Sequence, residues 1–290
     1  MACKSVLTAV SFRRLFRLGG FNNKRLLVSC LATGNGNCNR WKMASATGKD
    51  SSNEAKSCKP YSINIGGMRI RYMEKSETFT EDHLVSKEPF RQFKEWFSIA
   101  SKTPGIAESN AMFLATATKD GMPSVRPVLL KSYGTDGFKF YTNYESRKAR
   151  ELDENPNAAL AFFWEPLRRT VRIEGTVEKT SAEDSDEYFN SRPYHGQIGS
   201  VSSRQSTVIP NREFLIEKEK RLEKEYPDTV KRPEWWGGYI VIPKTIEFWQ
   251  GQSDRLHDRI RFRRPKVDEK VDNYLVHQGE DGWVYERLSP

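Results

Sequence analysis

Residues 111–142 read AMFLATATKDGMPSVRPVLLKSYGTDGFKFYT, and the fold follows from how that stretch divides. Ala111–Thr118, Ser124–Tyr133 and Phe138–Thr142 are runs rich in apolar and β-branched residues. Lys119-Asp120-Gly121 and Gly134-Thr135-Asp136-Gly137 lie between them. Asp-Gly pairs between such runs are strong hairpin signals, because the turn needs residues that tolerate positive φ. The spacing therefore predicts three strands in an antiparallel meander.

The pattern continues on both sides. Ser146–Asn155 reads as a short helix closed by Pro156. Ala158–Trp164 and Thr170–Glu178 form a second hairpin around Glu165-Pro166. Helices are expected at about 181–191 and 211–226, and strands at Gly238–Ile242, Thr245–Trp249, Arg259–Arg263 and Trp283–Arg287. Upstream, a helix is expected from Ser86, with Ser86 as its cap and Phe90, Phe93, Trp96 and Phe97 as its core stripe. Strands in succession with few helices between them predict a mainly β fold with flanking helices, an antiparallel barrel and not a doubly wound sheet.

At about 150 residues per domain, 290 residues allow two domains or one large one. A hydrophobic fraction of 37% with 12% aromatics is too rich for a disordered chain. The net charge of +9 is local. Residues 1–49 carry Lys4, Arg13, Arg14, Arg17, Lys24, Arg25, Arg40, Lys42 and Lys49 and no acid, so basic and acidic residues balance in the remainder. A nucleic-acid binder would carry its surplus on the folded domain, so the global charge argument for that class fails and only a local basic pocket stays open. No run of 18 apolar residues occurs, and no membrane span is expected. Cys3, Cys30, Cys38 and Cys58 all precede the body, which leaves neither a disulfide framework nor a Cys-x-x-Cys metal site there.

Three segments follow. Residues 1–48 form a leader expected to be disordered. It has the Arg-rich, acid-free composition of a mitochondrial targeting segment, and alternatively extends a cytosolic form that starts at Met43. The protein is thus expected in the cytoplasm, the mitochondrion or both. Residues 49–80 form a polar arm, and 81–290 the folded body.

Cations recur at positions suited to anions. Arg126 and Lys131 are five apart, which on a regular strand turns them to opposite faces. Arg147 and Lys148 follow Ser146 at a helix start, where free N–H groups add to their charge. Tyr188 and Arg192 are i, i+4 on one helix face. Arg255, His257 and Arg259 alternate, so an extended chain would place them on one side. Neither a Ser/His/Asp order, a metal spacing nor a Walker-type loop is present. These groups imply two or three separate anion sites, which suits a phosphorylated cofactor with a phosphorylated substrate.

Several stretches, in this order, resemble the pyridoxine/pyridoxamine 5′-phosphate oxidase family. They are Arg126-Pro-Val-Leu-Leu-Lys131, Tyr141-Thr-Asn-Tyr-Glu-Ser-Arg-Lys148, Phe163-Trp-Glu-Pro166, Gln197-Ile-Gly199, Gln205-Ser206, Glu247-Phe-Trp-Gln-Gly-Gln252, Arg255-Leu-His-Asp-Arg259 and the ending Tyr285-Glu-Arg-Leu-Ser-Pro290. The resemblance implies an FMN-binding split β-barrel and a homodimer with FMN at the interface. It implies oxidation of pyridoxamine or pyridoxine 5′-phosphate to pyridoxal 5′-phosphate by hydride loss from C4′. Oxygen is the final acceptor, giving hydrogen peroxide, with ammonia from the amine. It implies FMN contacts from Arg126, Pro127, Val128, Leu129, Tyr141, Thr142, Arg147, Lys148, Thr170, Gln205, Ser206, Trp249 and Arg259. Lys131, Tyr188, Arg192 and Gly196 would bind the substrate phosphate, and Arg255, Leu256 and His257 would lie at the substrate ring. Arg255 and His257 carry the implied catalytic role.

Three positions depart from the family pattern. Thr170 stands for a Gln, Gly196 for a Ser, and Pro127 for an ordinary strand residue. A lost neutral hydrogen bond is worth about 0.5–1.5 kcal/mol, so up to roughly tenfold weaker binding per site is expected, with Gly196→Ser lowering KM. Two other functions stay open on sequence: a split-barrel FMN oxidoreductase with another substrate, and a non-catalytic pyridoxal-phosphate carrier.

Overall fold

The computed structural model describes residues 65–68, 72 and 78–290. The leader and most of the arm lie outside these residues.

Helix α1 spans Pro89–Lys102. It begins later than the Ser86 reading because Pro89 forces an extended residue before it and suits the first helical position. The cap is therefore Glu88, whose carboxylate accepts from the N–H groups of Phe90 (3.0 Å) and Arg91 (2.8 Å). Ser86 Oγ instead accepts from Glu88 N–H at 3.1 Å. The expected stripe faces inward: Phe90, Phe93 and Trp96 are buried, and Phe97 packs at the rim. Phe93 meets Phe138 and Phe162 with ring centroids 5.1 and 5.2 Å apart. A large apolar side chain so placed stabilises the fold by about 1.5–3 kcal/mol.

The meander comprises β1 (Ala111–Ala117), β2 (Pro123–Leu129), β3 (Ser132–Gly134) and β4 (Gly137–Asn143), with all pairings antiparallel. The single strand expected over Ser124–Tyr133 is thus two. Leu130 and Lys131 leave the β1 ladder: Leu130 N–H donates to Asn110 O (2.8 Å) and Lys131 N–H to Lys139 O (2.9 Å). Pro127 fits its strand, since β2 ends the sheet path and an end strand tolerates a missing donor.

Helix α2 spans Arg147–Glu154, within the expected Ser146–Asn155, and Ser146 caps it by accepting from Ala149 N–H. The second hairpin is β5 (Asn157–Trp164) and β6 (Arg169–Lys179). Helix α3 (Ala182–Ser191) follows, then α4 (Tyr194–Ser202), which the sequence reading did not foresee, then α5 (Glu213–Glu225).

The two strands expected at 238–242 and 245–249 are one, β7, running Trp236–Gln250. One edge pairs with β6 over 239–250. The other pairs with β4 over 236–241 and with β8 (Asp258–Arg263) over 245–250. Pro243 lies between those partners, where that edge needs no donor. Opposite it the β6 ladder shifts register at Glu174/Gly175. A Cβ at Gly175 would stand 2.0 Å from Ile242 O, so only glycine fits. The strands β9 (His277–Gln278) and β10 (Val284–Arg287) complete the order β2-β1-β5-β6-β7-β8-β10-β9, with β4 branching from β7 and carrying β3. That path does not return on itself, so the barrel is split at the fork in β7.

Candidate active site

A cavity of about 830 Å³ opens between the meander and the α3–α4 segment. Its described lining contains four cations, Arg126, Lys131, Lys148 and Arg192, and no carboxylate. Arg126 and Lys131 were expected on opposite faces. The break at Leu130–Lys131 removes the strand alternation between them, and both line this one space. Pro127, Val128 and Leu129 form the wall between them.

Lys148 is buried in the first turn of α2, and its ammonium donates to Thr142 Oγ1 (3.0 Å), Gln205 Oε1 (2.8 Å) and Ser146 Oγ (3.3 Å). Burial and the nearby Arg126 charge push its pKa down to about 8, against the opposing pull of Glu151. Glu151, one turn along α2, lies behind the cations. It accepts from Thr116, Ser124, Arg126 and Arg147. Burial alone would raise its pKa, but the hydrogen bonds from Ser124, Thr116 and Arg147 outweigh that and hold it at about 2. Arg147 points its guanidinium to Glu151 (2.8 Å), and its N–H donates to Ser206 Oγ (3.2 Å). The loop bearing Gln205 and Ser206 is tied down further by Arg204, paired with Glu145 at 2.6 Å.

The far end of the cavity is aromatic. Tyr141 stacks on Tyr188 with centroids 4.0 Å apart, and on Trp236 at 5.8 Å. The Tyr141 hydroxyl donates to Asp184 (3.0 Å); its pKa is raised, by burial first and by Asp184 next. Lys131 Nζ lies 5.7 Å from the Tyr188 ring centre, and the Arg192 guanidinium 4.9 Å from that of Trp236. Gly196 lines the same space.

The remaining predicted residues stand elsewhere. Thr170, Trp249 and Arg259 line a second pocket of about 350 Å³ with Phe163, Arg172, Glu247 and Pro290. Arg259 donates to Glu247 (2.7 Å) and to Ser289 O (2.8 Å), and Arg172 reaches the same carboxylate at 2.7 Å. Arg255, Leu256 and His257 lie in the turn between β7 and β8. The extended run expected through Arg259 is absent there, because Arg255 has φ +67° and its N–H donates to Gln252 O at 3.3 Å. Leu256 is exposed. His257 accepts from Gln252 N–H (3.0 Å) and sits 4.8 Å from the Trp249 ring.

Sequence reasoning missed Glu151, Glu247, Trp236 and Ser200. Glu151 lies outside the resembling stretches and Glu247 opens one without an assigned role; both matter through the arginines they face. Trp236 belongs to an aromatic stack that joins β4, α3 and β7.

The cavity fits a phosphorylated flavin. Four inward cations without an acid suit phosphate charge, a buried lysine bonded only to neutral oxygens has capacity for an anion, and the volume lies in the range of cofactor sites. Fold and cavity together define the class, a split-barrel flavin-binding oxidoreductase. The family profile "Pyridoxamine 5′-phosphate oxidase" matches residues 103–222, and "Pyridoxine 5′-phosphate oxidase C-terminal dimerisation region" matches 236–290. The Bombyx mori pyridoxine/pyridoxamine 5′-phosphate oxidase is 59% identical, aligned over 79% of this chain and 90% of the relative. The Bos taurus pyridoxine-5′-phosphate oxidase is 53% identical over 79% and 88%. Among solved structures, PhzG from Burkholderia lata 383 in complex with tetrahydrophenazine-1-carboxylic acid superposes with TM-score 0.63 at 29% identity, covering 73% of this chain and 97% of that one. The chain belongs to the pyridoxamine 5′-phosphate oxidase family.

Proposed function

We propose that this chain oxidises pyridoxamine 5′-phosphate and pyridoxine 5′-phosphate to pyridoxal 5′-phosphate, the last step in making the vitamin B6 cofactor. The observation that carries this reading is the acid-free cavity, in which the Arg126/Lys148 and Lys131/Tyr188/Arg192 groups share one space. The relatives at 53–59% identity supply the substrate class. For the amine the balance is R–CH2–NH3⁺ + O2 + H2O → R–CHO + NH4⁺ + H2O2.

FMN, when bound, supplies the two-electron acceptor that no side chain can provide. Arg126, Lys148 and the α2 N-terminus would hold its phosphate, with Arg147, Gln205 and Ser206 beside them. Tyr141, Thr142 and the 127–129 wall would flank it. Lys131, Tyr188 and Arg192 would hold the substrate phosphate and so fix C4′ against the ring system, a positional contribution. Arg255 and His257 would cover the substrate ring and shield it from water.

We also read the active form as a homodimer with FMN between the subunits. Trp236 lines the first cavity and Trp249 the second pocket, and both lie on β7. At about 3.3 Å per residue they stand roughly 40 Å apart along the strand, farther than one mononucleotide reaches. Trp249, Arg259 and Thr170 would then serve the cavity of the other subunit. The C-terminal dimerisation match and exposed Phe113, Val125 and Phe163 support this reading. No helix among the described residues is long and apolar enough to cross a membrane. The Arg-rich, acid-free composition of residues 1–48 supports a mitochondrial destination, the cytoplasm being the other or an additional one.

The test is the anaerobic visible spectrum before and after adding pyridoxamine 5′-phosphate. Bleaching of a flavin spectrum, with recovery in air as pyridoxal 5′-phosphate appears, is the expected result. A flavin spectrum that stays unbleached would move the substrate elsewhere.

A further inference from the structure

Helix α4 presents two positions to the cavity one turn apart, Gly196 and Ser200. Arg192, just past the end of α3, lies against both. Its NH1 donates to Ser200 Oγ at 2.6 Å, while Ser200 Oγ donates to Gly196 O at 3.1 Å. The guanidinium lies over the Trp236 ring, 4.9 Å from its centre. The Trp236 ring and the Ser200 hydroxyl thus hold the guanidinium at two points.

Gly196 has room for a side chain. A Cβ there would stand 3.5 Å from Arg192 NH2, an ordinary contact. The missing side chain leaves the Arg192 fork open to the cavity, and Ser200 is the hydroxyl that reaches it.

We propose that Ser200 is the hydroxyl of the substrate-phosphate site. It orients the Arg192 fork, and its O–H turns from the Gly196 carbonyl to a phosphate oxygen when substrate binds. A serine hydroxyl has one proton and two acceptor sites, so it can accept from Arg192 and donate to phosphate at once. The proposal rests on reading this cavity as the substrate-phosphate site. It predicts that the deficit expected at Gly196 is made good one helical turn along.

The experiment compares Ser200→Ala, Gly196→Ser, the double variant and Arg192→Ala as FMN-loaded proteins. KM and kcat are measured with pyridoxamine 5′-phosphate and with unphosphorylated pyridoxamine. FMN content and Tm report folding. Ser200→Ala is expected to raise KM for the phosphorylated substrate by roughly tenfold or more, as for a lost hydrogen bond to a charged group, with kcat and the unphosphorylated substrate unaffected. Gly196→Ser alone should change KM less than twofold, and in the Ser200→Ala background it should restore much of the loss. An unchanged KM in Ser200→Ala, or equal losses with both substrates, overturns the proposal. If Arg192→Ala also leaves KM unchanged, the site reading itself fails and the proposal falls with it.

Discussion

Lys148 Nζ stands 2.8 Å from Gln205 Oε1, which joins the first turn of α2 to the loop after α4 across 57 residues of sequence. Thr142 Oγ1 donates to the same oxygen at 3.0 Å. The ammonium is therefore bonded only to neutral oxygens, and a bound phosphate would be the first counter-charge in direct contact with it.

Flavin affinity should accordingly fall in alkali. Lys148 loses its proton near pH 8 in the free protein, and a phosphate beside it favours the charged form. Binding above pH 8 then requires proton uptake, so Kd for FMN should rise by up to about tenfold per pH unit between 8 and 10. Fluorescence titration of the apoprotein measures this. Lys148→Met should weaken binding at pH 7 and flatten the profile; an equally steep profile in that variant would assign the proton elsewhere. The free protein shows the opposite trend. Its folded lysine has a depressed pKa, so stability is reduced below about pH 8 and recovers as pH rises towards the usual 10.5.

Glu151 should contribute to the acid limb of stability. Its folded pKa is about 2 against an ordinary 4.5. A depressed carboxylate stabilises fully above its unfolded value and loses that as pH falls through the folded one, so the loss lies between about pH 4.5 and 2. Its size is up to about 3 kcal/mol. Glu151→Gln should lower stability in urea at pH 7 and flatten the dependence below pH 4.5. Equal acid limbs in the two proteins would refute this.

Gly175→Ala should be severe although the change is one methyl. The added carbon would meet Ile242 O and the Pro243 backbone, and neither can rotate away. A loss above about 2 kcal/mol in denaturant unfolding is expected, since relief requires β6 and β7 to separate. A loss below about 0.5 kcal/mol would mean that the bulge is adaptable.

Arg259→Leu should lower flavin retention more than folding. The substitution removes one of two arginines on Glu247, and Arg172 still pairs with that carboxylate. FMN content after gel filtration should fall severalfold while Tm drops only a few degrees. Full retention would remove Arg259 from the flavin site.

Legibility followed the range of the determining interaction. The hairpins were readable because Asp120-Gly121 and Asp136-Gly137 encode their turns locally, and α2 because Ser146 caps it and Pro156 stops it. The split between β2 and β3 was not readable, since Asn110 and Lys139 draw Leu130 and Lys131 out of line. Helix α4 carries Gly196 and Gly199, weak helix formers, and is held by burying Ile198 against Phe189 and Trp236. The gap expected between 242 and 245 is absent because the missing donor of Pro243 matters only where a partner is present, and β7 changes partners there. For the site, residue types predicted the cationic groups, but as separate anion sites; their meeting in one cavity, the left-handed Arg255 and the acids behind the arginines depend on tertiary placement.

The length of β7 has a genetic consequence. If each flavin is held by the Lys148 side of one chain and the Arg259 side of another, a chain damaged at Lys148 and a chain damaged at Arg259 fail in complementary ways. Mixed in one cell, they would assemble hybrids in which one of the two sites inherits both damaged halves and the other inherits neither. Two inactive alleles would then restore part of the activity together, and two alleles damaged on the same side would not.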